Sequence, residues 1–335
     1  MLITRHAARL ARAAALASVL AAPVAGSAAA EQISVTHWGV LMYGAPYAVA
    51  MEKGYFKEAG VDIDGILTSK GGGTTMRNVM AGGLPYGEVA LSAAIAAAQQ
   101  GIDVRIVNAG VQTVGEILWV TTKDSPVRTI ADLQGKKLGF TSPKSITDIL
   151  SQMALEKSGI PENKVQRVSI GGIGSGLTAL QQGGVQAAPI MDPVWAKEKN
   201  NYRPVFWVKD LVPPMTQTVG VTTTEFAEKN PDTLRALIAA RRKGVEFIHA
   251  NPAEAAAIVA KAYNMEPAIA EESMKNLQEL DYWSTGAFDR EGLENMAEGL
   301  RKVGEIKGEV AWDKLLDERF LGSEPSVAEQ PQAKQ

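Results

Sequence analysis

Three loops set glycine and hydroxyl residues directly ahead of a helical pattern: Ser69-Lys70-Gly71-Gly72-Gly73-Thr74-Thr75, Thr141-Ser142-Pro143-Lys144-Ser145 and Gly171-Gly172-Ile173-Gly174-Ser175. The first N–H groups of a helix have no partner within it and sit at the positive end of its dipole, so such loops suit an anionic group. Serine and threonine there either cap the helix or reach a bound molecule, while glycine admits close approach of the backbone. The candidate contacts are therefore Gly72, Gly73 and Thr74 in the first loop, Thr141, Ser142 and Ser145 in the second, and Ser175 in the third. Ser92, at the start of a further helical run, and Asp192, before Pro193, join them, and Trp38 with Tyr43 offers aromatic faces for stacking. Lys70 and Lys144 lie in the same loops, whereas Arg77, one turn into its helix, reads as a salt-bridge partner.

Other chemistries find little support. The chain has no cysteine, and beyond residue 30 its histidines are His37 and His249, too far apart in sequence to suggest a metal cluster. It contains no G-x-S-x-G elbow, HExxH pair or P-loop, and Gly172-Ile173-Gly174-Ser175-Gly176 lacks the third glycine of a dinucleotide loop. No cofactor, metal ligand or catalytic residue is assigned.

The elements that must position these loops follow from periodicity. Ile33–His37 reads as a strand, the run Tyr47, Ala50, Met51 after Pro46 as a helix closed near Gly60, and Val61–Leu67 as a second strand leading into the helix of Met76, Val79 and Met80. A new series opens at Lys137: strand KLGF, helix Ser145–Ser158, strand VQRVSI, the glycine loop with its helix to Gln182, and strand VQAAPIM. Between the two series Glu116–Thr122 reads as a crossing strand, and Met215–Thr223 as its return. Four helical runs follow, Pro231–His249, Pro252–Tyr263, Pro267–Leu280 and Arg290–Ile306. This is α/β architecture, and in open α/β sheets ligands sit beyond the carboxyl ends of the strands, where the loops above fall. We expect lobe one over 31–122 and 215–322, with the C-terminal helices on it, and lobe two over 123–214. No internal repeat is strong enough to assign in the sequence.

The ends and the charge bound the setting. Arg5, Arg9 and Arg12 precede an apolar run, Ala13–Ala25, and Ala28-Ala29-Ala30 supplies a small-residue cleavage signal, so 1–30 reads as a secretory signal peptide. That run is shorter than the ~20 residues that cross a bilayer. Residues 323–335 are polar and read as a disordered tail. The formal charge is −3, and removing the three leader arginines from 34 basic residues leaves 31 against 37 acidic, or −6. This balance disfavours nucleic acid and anionic membrane as partners.

The segments YAVAMEKGYFKEAG (Tyr47–Gly60), the glycine-rich helix entry at Gly71, MAGGLPYGEVA (Met80–Ala90) and IADLQGKKLGF (Ile130–Phe140) carry a resemblance. Over about Ile33–Thr224 the chain resembles periplasmic solute-binding proteins of ABC importers, in the sulfonate, taurine, nitrate and thiamine-pyrimidine group. The resemblance implies a type II-like periplasmic binding fold of two lobes joined by two crossing strands, a small-molecule ligand, an inner-membrane permease as partner, and a monomer in the periplasm. It also implies hinge closure over the ligand. The helix starts favour an organic anion such as a sulfonate or aromatic carboxylate. Trp38 and Tyr43 leave an uncharged pyrimidine open, and an enzyme or a ligand-free interaction module on the same fold stays open beside it.

Overall fold

The computed structural model describes residues 31–321, apart from Lys70, Gly82, Gly83 and Lys144. The expected leader, the expected tail and the two loop lysines therefore lie outside the described residues. The first lobe begins with β1 (Glu31–Thr36), α1 (Ala45–Glu52), α2 (Tyr55–Glu58), β2 (Ile63–Ser69), α3 (Gly72–Ala81), β3 (Tyr86–Ala90), α4 (Leu91–Gln99) and β4 (Arg105–Ala109). The second holds β5 (Leu118–Thr122), β6 (Lys137–Phe140), α5 (Ile146–Lys157), β7 (Gln166–Ser169), α6 (Ile173–Gln181), β8 (Ala188–Ile190), α7 (Val194–Glu198) and β9 (Tyr202–Trp207). The chain then returns through β10 (Thr218–Thr222) to α8 (Thr224–Lys229), α9 (Pro231–Ala250), α10 (Pro252–Tyr263), α11 (Pro267–Gln278), α12 (Arg290–Lys302) and α13 (Trp312–Leu315).

The two lobes share one ground plan. In the first, the strand order is β2-β1-β3-β10-β4, with β1 parallel to both neighbours and β10 antiparallel to β3 and β4. In the second, β7 pairs with β6 in parallel, Leu138 of β6 bridges in parallel to Ala187 just before β8, and β5 runs antiparallel between β8 and β9. The resulting order, β7-β6-β8-β5-β9, repeats the first. β1, β3 and β10 bury nearly every residue, as central strands covered on both faces do.

One boundary differs from the sequence reading. Leu118–Thr122 is hydrogen-bonded on both sides within the second sheet, so the stretches that pass between the sheets are 110–117 and 208–217. A β-branched, aromatic run such as LWVTT carries the same signature as a crossing strand or as a central one. Its tryptophan decides the matter: Trp119 is fully buried, donates from Nε1 to the Gly139 carbonyl at 2.7 Å and stacks on Phe206.

The C-terminal helices serve both lobes. α9 and α10 cover α1 on the first, and Gly244 of α9 comes so close to the Pro46 carbonyl that an added Cβ would lie 2.2 Å from its oxygen. α12 packs against α4 of lobe one and α5 of lobe two, and α11 reaches α7.

Candidate functional site

The loops at the carboxyl ends of β1, β2, β3, β6, β7 and β8 face one another across a cleft of about 1320 Å³. Each strand delivers its loop for the reason given by open α/β topology: the strand ends there and the next helix begins there. The N-termini of α3 and α4 arrive from lobe one, and those of α5 and α6 from lobe two. Four sets of unpaired N–H donors thus converge, each helix end contributing about 0.3 to 1 kcal/mol to a bound anion when exposed and up to about 2 when partly buried.

Of the residues singled out in the sequence, Tyr43, Gly72, Gly73, Ser92, Thr141, Ser142 and Ser145 line this cleft. Gly72 lies against the α4 backbone: a Cβ there would stand 2.3 Å from that of Ala93, so glycine lets α3 and α4 start side by side. Ser145 is the N-cap of α5, its Oγ accepting from Asp148 N at 3.3 Å and from Thr141 Oγ1 at 3.0 Å. Thr147 accepts from Thr141 N at 2.8 Å, which closes a knot of three hydroxyls over the helix start. On the facing lobe Thr75 holds the hydroxyls of Thr36 and Ser69, both at 2.6 Å.

Four residues are placed elsewhere. Trp38 packs edge-on against Tyr263 with ring centres 5.1 Å apart. Thr74 accepts from Arg77 Nη2 at 2.9 Å, and Ser175 caps α6 by accepting from Gly172 N at 2.8 Å. Asp192 is buried beneath the cleft, accepting from Ala196 N at 3.2 Å and Asn276 Nδ2 at 3.2 Å. Burial raises its pKa to about 6, against the hydrogen bond from Asn276.

The cleft also contains residues that the sequence reading did not assign to it. Arg77 lines it, with His37, and the walls are apolar: Met76, Met80, Met191, Ile146, Ile173 and Leu300 all contribute. Below the floor, Glu116 on one connecting stretch accepts from Gln217 Nε2 on the other at 2.9 Å, while Gln217 accepts from Tyr282 at 3.3 Å. Burial raises the Glu116 pKa to about 8, so at neutral pH this carboxyl is protonated.

The profile of the NMT1/THI5-like family matches residues 42–255, more than half of the chain. The chain belongs to the NMT1/THI5-like family. A Brucella abortus relative named "Putative binding protein" is 26% identical over 280 residues, covering 81% of this chain and 84% of its own. Among solved structures, the periplasmic aliphatic sulphonate binding protein SsuA of Escherichia coli superposes with a TM-score of 0.66 at 19% identity, covering 82% of this chain and 85% of that one. The desulfurization enzyme DszB does so with a TM-score of 0.63 at 13% identity, covering 87% and 97%. At these identities the structures establish the fold of this NMT1/THI5-like protein, a periplasmic binding protein fold, and that fold hosts both binders and an enzyme.

Proposed function

We propose that the protein is the ligand-capturing component of an ABC importer, taking a small organic anion between its lobes and presenting it to an inner-membrane permease. The observation that carries this is the convergence of four helix N-termini from two lobes on one apolar-walled cleft. A charged end would lie against N–H donors and the body of the ligand against the methionine and isoleucine walls, the division of labour usual in small-molecule sites. Contacts from both lobes favour a closed state, with 118–207 moving as one body against the rest about 110–117 and 208–217. The candidate contacts are Gly72, Gly73, Ser92, Thr141, Ser142 and Ser145, with Tyr43 beneath. The leader expected over 1–30 supports a periplasmic location, and in this reading the protein acts there as a monomer.

The position of Trp38 weighs against an uncharged heterocycle, since its ring packs on Tyr263 and the cleft lining includes no free tryptophan face among the described residues. For an enzyme on this fold, the sequence supplies no cysteine as nucleophile. Native mass spectrometry of protein taken from its host's periplasm tests the reading. An adduct of one organic acid per chain is expected, and a co-purifying neutral heterocycle would overturn the anion.

A further inference from the structure

His37 follows β1 and lines the cleft at the side where α3 begins: its backbone N–H donates to the Ser69 carbonyl at 2.9 Å, and Ser69 leads through Gly71 into α3. Its backbone is left-handed, φ 55°, a region uncommon for any residue but glycine, and the turn is held by Val40 N and Leu41 N donating to the His37 carbonyl at 2.9 and 3.0 Å. Residues kept in such conformations cluster at active sites, ligand clamps and switch regions, although histidine enters this region more readily than most side chains. The ring is half-buried and has no hydrogen bond to any described residue. Burial lowers its pKa below the ordinary value near 6.5, so at neutral pH the ring is uncharged, with one nitrogen a donor and the other an acceptor.

Acceptors are few at this end of the cleft: apart from the hydroxyls of Tyr43 and Ser92, the polar side chains there donate or bond one another. Helix N-termini and the Arg77 guanidinium only donate. The Thr36 hydroxyl is engaged, donating to the Glu88 carbonyl at 3.1 Å and paired with Thr75, and those of Thr141, Ser145 and Thr147 bond one another. Of the other acceptors along the lining, Gln100 stands at the opposite end of α4 from Ser92, and Glu305 follows α12. We propose that His37 is a specificity-determining residue, its free imidazole nitrogen accepting a hydrogen bond from a hydroxyl or N–H next to the ligand's anionic group. The ligand is then an anion bearing a donor near its charge rather than a bare alkyl anion. This rests on the anion reading above and narrows it.

Matched pairs of probes test it by calorimetry: isethionate against ethanesulfonate, and lactate against propionate. Each pair differs by one hydroxyl. The variant His37→Gly keeps the left-handed backbone without strain, and His37→Gln restores a donor and an acceptor on a flexible stem. The wild type is expected to prefer the hydroxylated member of at least one pair by roughly two- to tenfold, the worth of one net hydrogen bond. His37→Gly should abolish that preference and His37→Gln recover part of it. Binding of both members without preference, or a preference that survives in His37→Gly, overturns the proposal and leaves the anion reading standing. Binding of none of the four counts against the anion reading and takes this inference with it.

Discussion

The Ser145 hydroxyl holds the first turn of α5 through Asp148 N, so its immediate role is a helix cap. Replacing it by alanine is expected to cost about 0.5 to 2 kcal/mol of stability, read by urea denaturation as a lower midpoint at unchanged slope. An unaltered midpoint would show that the cap contributes nothing. At this scale residue type in the sequence is a fair guide to neighbourhood and a poor one to role. Gly72, Thr141 and Ser145 are legible because a polar loop between strand and helix has one place to go in an open α/β sheet. Ser175 and Thr74 share those signals, yet their hydroxyls accept from Gly172 N and Arg77, and nothing in a loop's composition separates the two fates. His37 carries no signal, because a histidine ending a strand reads like any other polar residue until its φ is known.

Among the elements, α9 is fastened to the first sheet by a buried pair. Arg241 Nε donates to Glu88 Oε2 at 3.1 Å, with both side chains essentially inaccessible, and its other nitrogens donate to the Ser284 and Gly110 carbonyls at 2.7 and 2.8 Å. Thr218 of β10 donates to the second Glu88 oxygen at 2.7 Å and accepts from Val111 N at 2.8 Å, which ties the pair to the connecting stretch. Removing one partner strands the other's charge, and Glu88→Gln or Arg241→Met is expected to destabilise the protein by about 3 to 5 kcal/mol, measured by chemical denaturation. A loss under about 1 kcal/mol would mean the charges are solvated. The sequence hides this contact because its partners lie 153 positions apart on a strand and a helix.

The connecting stretches carry a pH dependence of their own. Glu116 is buried, its Oε2 has no hydrogen-bond partner among the described residues, and the groups around it are Gln217, Tyr282, Tyr43 and Asp192, none of them a cation. Its folded pKa, about 8, lies above the 4.5 of an unperturbed glutamate. The protonated form therefore stabilises the fold fully at pH values below the unfolded pKa, and that stability is lost as pH rises from there through about 8. Asp192, raised to about 6, adds the same sign over a lower window. Asp132, Glu294, Glu298 and Asp317, with lowered values, act oppositely, but only in acid. Tm is expected to fall between about pH 6 and about pH 8.5, and Glu116→Gln to flatten that slope; an equal slope in both proteins would remove Glu116 as its source.

For the whole molecule, the expected two α/β lobes stand, and their likeness runs deeper than the sequence discloses. The orders β2-β1-β3-β10-β4 and β7-β6-β8-β5-β9 match strand for strand, including the antiparallel fourth member that comes from the connecting stretch. Strand order is settled by long-range pairing, which local periodicity does not encode, so a repeat of topology leaves no repeat of residues. The reach of α12 to both α4 and α5 is likewise illegible, since its amphipathic pattern says that a face is buried and not against what. On the closure proposed above, that helix and the paired stretches below the cleft would form the base about which one lobe rotates. The central claim is that one anion is gripped from both sides. Amide hydrogen exchange with and without the co-purified acid tests it most directly, with expected slowing both at 71–76, where α3 begins, and at 141–148, where α5 begins. Slowing confined to one lobe, or absent from both while calorimetry shows binding, would contradict the account.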